Sequence, residues 1–442
     1  MARDPSFSGA ERVHGGPSID LRCRVQEKPN AWRPWILSLL IAAMPLSFAL
    51  PFKAKAVPAA ILLLVGLWLI ATQRETRRAF RRAAPVVVPV ALAFAFWLGN
   101  TLAHGISLKE FDVPSHILAF LPIAACFSAT LRPIVLRLGF SASAAALGLI
   151  CMEQHYIEGI DRAYGINNGL WGAIEFGMFI LVLSLIGIIQ ALRIELRPGE
   201  RMLHGLFAAM GFYGALLTQS RGPLLACIPV FVLLVIIQGR RTHRWRQALA
   251  VIVLGAAVVG VAATTLHGEV AERFARVSEE VSTYSESDAT GAVRERLEMW
   301  RNAGSAIAEH PLTGVGLNQF GAYARGRIAE GKAADSIERY DHPHSEYLEW
   351  AVTGGLPGLA LLLLMFGASA WFFGRHAMHR DNGVAMPACA GLAVTSMYAL
   401  CGLTDNVFYR AMPHSLYFFL TLGLAVYIGR MLGKREPLEK GH

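Results

Sequence analysis

The chain has 442 residues, of which 54% are hydrophobic and only 17% charged, whereas a soluble domain carries nearer a quarter charged residues. With a mean hydropathy of +0.42, this excludes a disordered chain and an ordinary water-soluble globule, and reads as an all-α polytopic membrane protein. The net charge of +9 reports topology on such a chain, so no nucleic-acid partner is expected. Of the six cysteines only Cys23 stands clear of the apolar runs, which implies no extracytoplasmic disulfide framework. The first thirty residues are polar and charged and show no signal-peptide core.

Apolar runs long enough to span a bilayer predict about twelve transmembrane helices. Their approximate spans are 32–51, 56–72, 84–104, 113–130, 138–152, 168–192, 203–218, 222–239, 247–266, 346–373, 383–403 and 412–431. Basic residues alternate between the gaps. Arg74, Arg77, Arg78, Arg81 and Arg82 fill one gap, and Arg240, Arg241, Arg244 and Arg246 another. The short gaps on the other side hold only six: Lys53, Lys55, Lys109, Arg162, Arg221 and Arg410. By the positive-inside rule both termini are cytoplasmic. The expected organisation is a cytoplasmic tail over 1–31, helices one to nine over 32–266, a large periplasmic loop over 267–345, helices ten to twelve over 346–431 and a cytoplasmic tail over 432–442.

The large loop carries nine basic and thirteen acidic residues, so it is balanced rather than polybasic. Helical spacing recurs over 268–281 and over 293–309, the latter through Leu297, Trp300, Ala303 and Ile307; Pro311 ends it and Gly314 and Gly316 mark a turn. A mostly helical cap is expected, because a structureless loop of this length is unusual. Within it Gly326 to Lys332 spells G-x-x-x-x-G-K, but Ala333 stands where a phosphate-binding loop needs Ser or Thr.

Three stretches carry candidate chemistry. Thr218-Gln219-Ser220-Arg221-Gly222-Pro223 joins two spans almost without a loop. Arginine at that depth is costly and tends to be functional, and its planar fork matches a phosphate; the alternative is snorkelling to lipid headgroups. Arg294-Glu295-Arg296-Leu297-Glu298-Met299-Trp300-Arg301 is an amphipathic helix, with Trp300 most simply a packing residue. Asp341-His342-Pro343-His344-Ser345-Glu346-Tyr347 runs into the tenth span, with Asp341 a plausible N-cap and His344 in the first helical turn. A histidine there is suited to take a proton from a hydroxyl, and a helix N-terminus favours its neutral form. His342, two residues earlier, should point to another side of the helix and matter less. The His-x-His spacing is too generic to imply a metal. Glu175, near the end of the sixth span, is either a packing residue or a substrate contact.

Together these motifs resemble the O-antigen ligase family, within the wider O-antigen ligase and polymerase superfamily. Its Ser-Arg-Gly matches Ser220-Arg221-Gly222; its R-L-x-x-W and H-P-L-x-G-x-G match Arg296 to Trp300 and His310 to Gly316; its H-[N/S]-x-[Y/F]-L followed by Gly matches His344 to Leu348 and Gly355. Ser345 replaces the usual Asn. The resemblance implies a membrane glycosyltransferase in the bacterial inner membrane, with its active site periplasmic. The donor is a glycan on undecaprenyl diphosphate, and the acceptor a hydroxyl of the lipid A core oligosaccharide. No ATP, metal or other cofactor is implied. His344 would be the catalytic base and Arg221 and Arg296 the diphosphate ligands, with Ser220, Arg294, Arg301, Trp300, His342, Tyr347 and Glu175 as possible support. A polymerase or protein O-oligosaccharyltransferase is the nearest alternative. A lipid-linked glycan transporter is disfavoured because no inverted hydropathy repeat is present.

Overall fold

The computed structural model describes residues 32–50, 52–166, 172–246, 249, 252, 253 and 291–434. Apart from 249, 252 and 253, the ninth expected span lies outside these, as does the helix expected over 268–281. Fourteen α-helices and no strands are present among the described residues: α1 (Arg33–Ala49), α2 (Phe52–Thr72), α3 (Arg74–Arg82), α4 (Ala84–Ala103), α5 (Asp112–Ala125), α6 (Pro133–Tyr156), α7 (Ala173–Ala191), α8 (Pro198–Leu217), α9 (Arg221–Thr242), α10 (Ala292–Glu309), α11 (Phe320–Ala329), α12 (Glu346–Ala377), α13 (Asn382–Cys401) and α14 (Ala411–Gly433).

Eleven of the twelve expected spans therefore coincide with a helix, and eight of these helices are long and apolar enough to cross a membrane. Helices α1 and α5 are apolar but shorter, and α8 opens with Glu200 and Arg201 in its first turn. The chain is thus a multi-pass helical membrane protein. The runs 138–152 and 203–218 were too short as read: helix continues through their polar flanks to 133–156 and 198–217. Ion pairing of Arg137 with Glu200 at 2.7 Å lets α6 and α8 carry those charges together.

Helices α7, α13 and α14 form the centre, with 78%, 78% and 72% of their apolar windows buried, against 17% for α2 at the periphery. Helix α13 lies beside α12, α14, α7 and α9, while α4 packs along α12. The starts of α7, α9, α12 and α14 gather at one end of the bundle, where the 291–345 segment also lies.

That segment has its own small core of Met299, Ala303, Ala306, Phe320, Ala324 and Ile337, closed by Val352 of α12. The expected apolar stripe on α10 is therefore rotated: Met299 and Ala306 are inside, whereas Trp300 is 37% exposed. The reason is polar. Glu298 is fully buried and its Oε1 accepts from Arg301, Asn302 Nδ2 and the Ala334 amide at 2.7, 3.0 and 3.1 Å. Gly326 lies inside α11, so the G-x-x-x-x-G-K stretch forms no phosphate-binding loop.

The segment is strapped to the bundle through a break in α12. Gly355 sits at φ 64°, ψ −167°, inside what is otherwise one long helix. The Val352 and Thr353 carbonyls accept instead from Val315 and Gly316 at 2.9 and 3.0 Å, and Leu356 donates to the Pro311 carbonyl at 2.8 Å. A Cβ at Gly314 would stand 2.4 Å from the Thr353 carbonyl carbon, and one at Gly355 2.7 Å from Leu312. Both positions combine positive φ with backbone contact, which only glycine tolerates. The H-P-L-x-G-x-G motif is thus a packing device fitted to the broken helix.

Candidate functional site

His344 does not lie in the first turn of a helix, as its sequence position suggested. Helix α12 begins at Glu346 with Ser345, φ −156°, as its N-cap, and Asp341 instead accepts from Arg325 at 3.2 Å. His344 takes φ 50°, a left-handed conformation uncommon for a residue with a side chain and frequent at functional sites. This turn aims the imidazole across to the loop between α13 and α14, where its Nδ1 lies 3.0 Å from Asp405 Oδ1. The electrostatic partner of His344 is therefore a carboxylate, not a helix dipole. Since a carboxylate only accepts, Nδ1 donates, and in the neutral form of the ring the lone pair lies on Nε2.

The loop bearing Asp405 is rigidly held. The Glu346 amide donates to the Gly402 and Asp405 carbonyls at 2.8 and 3.2 Å, and Glu346 Oε2 accepts from the Phe408 amide at 3.0 Å. Glu346 Oε1 accepts from Trp350 Nε1 at 2.6 Å. Tyr347 donates to the Ala399 carbonyl at 2.8 Å, which makes it a strut of this joint. Burial alone would push the Asp405 carboxyl up, but its hydrogen bond to His344 and the charge of that ring outweigh burial and hold it below the usual carboxylate range.

His342 is not turned away from His344. Neither residue is helical, and their rings meet edge to face at 4.5 Å, with Tyr409 4.5 Å from His342 on its other side. Burial, then the neighbouring His344, pushes the His342 imidazole down to about 4.

Arg221 is the first residue of α9 and is exposed. Its turn is tied down on both sides. Ser220 Oγ donates to the Ala173 carbonyl at the start of α7 at 2.9 Å, so Ser220 acts here as a brace. A Cβ at Gly222 would lie 2.9 Å from Thr404 Oγ1, which sets the Ser-Arg-Gly turn directly against the loop that carries Asp405. Glu175, in the first turn of α7, forms a 2.7 Å ion pair with Arg410 at the far end of that loop.

On α10, Trp300 Nε1 donates to the Pro343 carbonyl at 3.0 Å, next to His344. Arg296 lies one turn earlier on the same side of the helix and is half-buried. Arg301 serves the fold: it pairs with Glu298 at 2.7 Å and donates to the Lys332 carbonyl at 2.8 Å. Arg294 is partly buried two residues before Arg296.

Asp405 and Arg410 were not singled out from the sequence. A signal existed: Thr404-Asp405-Asn406 is a polar run in an apolar stretch, and counting spans puts it at the same end as Arg221 and His344. No cluster of three or more His, Cys, Asp or Glu side chains placed to hold a metal ion occurs among the described residues.

Fold and site thus define a multi-pass membrane protein with a histidine–carboxylate pair and arginines gathered at one end of its bundle. Residues 206–363 match the family model described as O-antigen ligase, a stretch running from α8 into α12. Over this stretch the chain is similar to the O-antigen ligase family. It is also 21% identical over 286 residues to an uncharacterized protein of Haemophilus influenzae, covering 63% of this chain and 70% of that one.

Proposed function

We propose that the protein is an O-antigen ligase, transferring a glycan from undecaprenyl diphosphate to a hydroxyl of the lipid A core oligosaccharide at the periplasmic face of the inner membrane. The observation that carries this reading is the 3.0 Å contact of His344 with Asp405, beside a turn that presents Arg221. The acceptor hydroxyl oxygen attacks the anomeric carbon as the bond to the diphosphate breaks, and the diphosphate leaves with that electron pair. His344 Nε2 takes the hydroxyl proton, and Asp405 orients the ring and offsets the imidazolium charge. Arg221 and Arg296 meet the charge on the departing diphosphate. Attack opposite the leaving group inverts the anomeric centre. The donor bond is already activated, so the reaction needs no nucleotide, and the guanidinium groups take the part a metal would play. The periplasmic setting follows from the charge asymmetry of the gaps.

The test is reconstitution. Purified protein, lipid-linked glycan and rough lipopolysaccharide are incubated with chelator and without nucleotide, and a ladder on a gel is the expected product. Elongated lipid-linked glycan in its place would mark a polymerase. His344→Ala should lose at least about a hundredfold in rate, within the usual range for general-base help, while still binding donor. Arg221→Lys keeps the charge but loses the fork; at about 1.5–3 kcal/mol for a charge-assisted hydrogen bond this is roughly ten- to over a hundredfold. Full activity in His344→Ala sinks the base assignment, and near-normal activity in Arg221→Lys reduces Arg221 to a membrane anchor.

A further inference from the structure

A cavity of about 80 Å³ lies inside the bundle next to the His344–Asp405 pair, between α4, α5, α12, α14 and the 402–410 loop. Trp97, Trp350 and Phe418 give it aromatic walls, and Glu349, Asn406 and His414 face it between them. Those three polar side chains are 8%, 1% and 3% exposed. Glu349 Oε2, both terminal atoms of Asn406 and His414 Nδ1 make no hydrogen bond of ordinary geometry with any described residue. Buried polar atoms are rarely left so, because each has given up its hydration. Glu349 and Asn406 lie within hydrogen-bonding reach of each other, which leaves His414 Nδ1 and the rest of the Asn406 amide to a polar occupant, and the volume exceeds that of a single water.

The cavity is joined to the site. Asn406 follows Asp405, and its amide donates to Asp405 Oδ1 at 2.9 Å. Tyr409 lines the cavity, is 37% exposed and meets the ring of His342, which in turn meets that of His344. Its lining includes Glu110, Glu346 and Glu349 and no Lys or Arg among the described residues, a balance that favours an uncharged occupant over a carboxylate or phosphate. Aromatic faces interleaved with a carboxyl and an amide suit the C–H faces and hydroxyl or amide groups of a carbohydrate.

We propose that this cavity seats an uncharged, hydroxyl- or amide-bearing arm of the sugar held beside His344, and so helps decide which sugars are transferred. The proposal rests on the glycan-transfer reading. The sugar belongs to the donor or to the acceptor, and kinetics separate the two. Transfer by the full-length protein is measured with undecaprenyl-diphosphate-linked glycan and rough lipopolysaccharide, each varied in turn. Two variants are compared with wild type: Asn406→Ala, which removes polar atoms, and Ala93→Leu, which fills the cavity from α4. Each should raise one KM by at least about tenfold, more than it lowers kcat, as expected when a substrate's hydrogen-bonding group loses its partner. A raised donor KM assigns the seat to the donor sugar, and a raised acceptor KM to the acceptor. Gel filtration and the unfolding temperature establish which variants fold, and one folded variant suffices. A folded variant with both KM values unchanged, or with kcat alone reduced, overturns the proposal. No transfer by the wild-type protein overturns the glycan-transfer reading itself, and this seat with it.

Discussion

At the scale of single residues, the site turns on one imidazole whose ring is held by a carboxylate from a distant part of the chain. Asp405→Asn keeps size and removes charge. Losing a hydrogen bond to a charged group costs about 1.5–3 kcal/mol, so transfer should fall by roughly ten- to over a hundredfold at matched protein level. Wild-type rates in this variant would show that Asp405 does not support His344. The neighbouring His342 and the Asp405 carboxyl also link folding to pH. His342 titrates near 4 in the folded protein instead of at its ordinary 6.5, so between those values the unfolded chain binds a proton that the folded one refuses. Stability therefore declines as pH falls through that window. The Asp405 carboxyl, held below its ordinary 3.8, adds stability above that pH that is lost as acid protonates it. Relative to His342→Phe, which cannot be protonated, the wild-type protein should lose unfolding temperature from pH 6.5 towards 4. An equally steep drop in the variant would place its cause elsewhere.

At the scale of elements, the break in α12 decides how the 291–345 segment is fastened to the bundle. The strap over 310–316 can reach the Val352 and Thr353 carbonyls only because Gly355 leaves the helical path. Alanine at Gly355 or Gly314 would meet backbone at 2.7 or 2.4 Å. Overpacking of this kind costs about 1–3 kcal/mol before the strain of positive φ is counted. Both variants should lower the unfolding temperature, while Gly326→Ala, at a position with open space around its added methyl, should not. Equal stability of all three would show that the strap does not depend on this close approach. The motif glycines were visible in the sequence as a turn signal. Their purpose was not, since it depends on a helix break more than 30 residues away in sequence, a distance read from Gly314 and Gly355.

At the scale of the molecule, the bundle carries its chemistry at one end because helix starts converge there. The basic gaps predict which side that end faces. In a chain with Cys23→Ala, Leu108→Cys should react with an impermeant thiol reagent in intact cells, and Arg240→Cys only after permeabilisation. Leu108 and Arg240 are both exposed, and the other cysteines are buried. The reverse labelling pattern would invert the proposed topology.

Local sequence alone determined the membrane class, the existence of most helices and His344 and Arg221 as candidates, while Arg296 came only with the family resemblance. Apolar run length and charge alternation are properties of neighbouring residues, so a single chain displays them. Tertiary structure decided the rest. It moved His344 out of the helix, brought Asp405 to it across 61 positions, set Gly222, beside Arg221, against Thr404 and paired Glu175 with Arg410. Such contacts join side chains whose separation along the chain carries no period. Inside a bundle where apolar helices fit together in many ways, only the packing selects which buried polar groups meet.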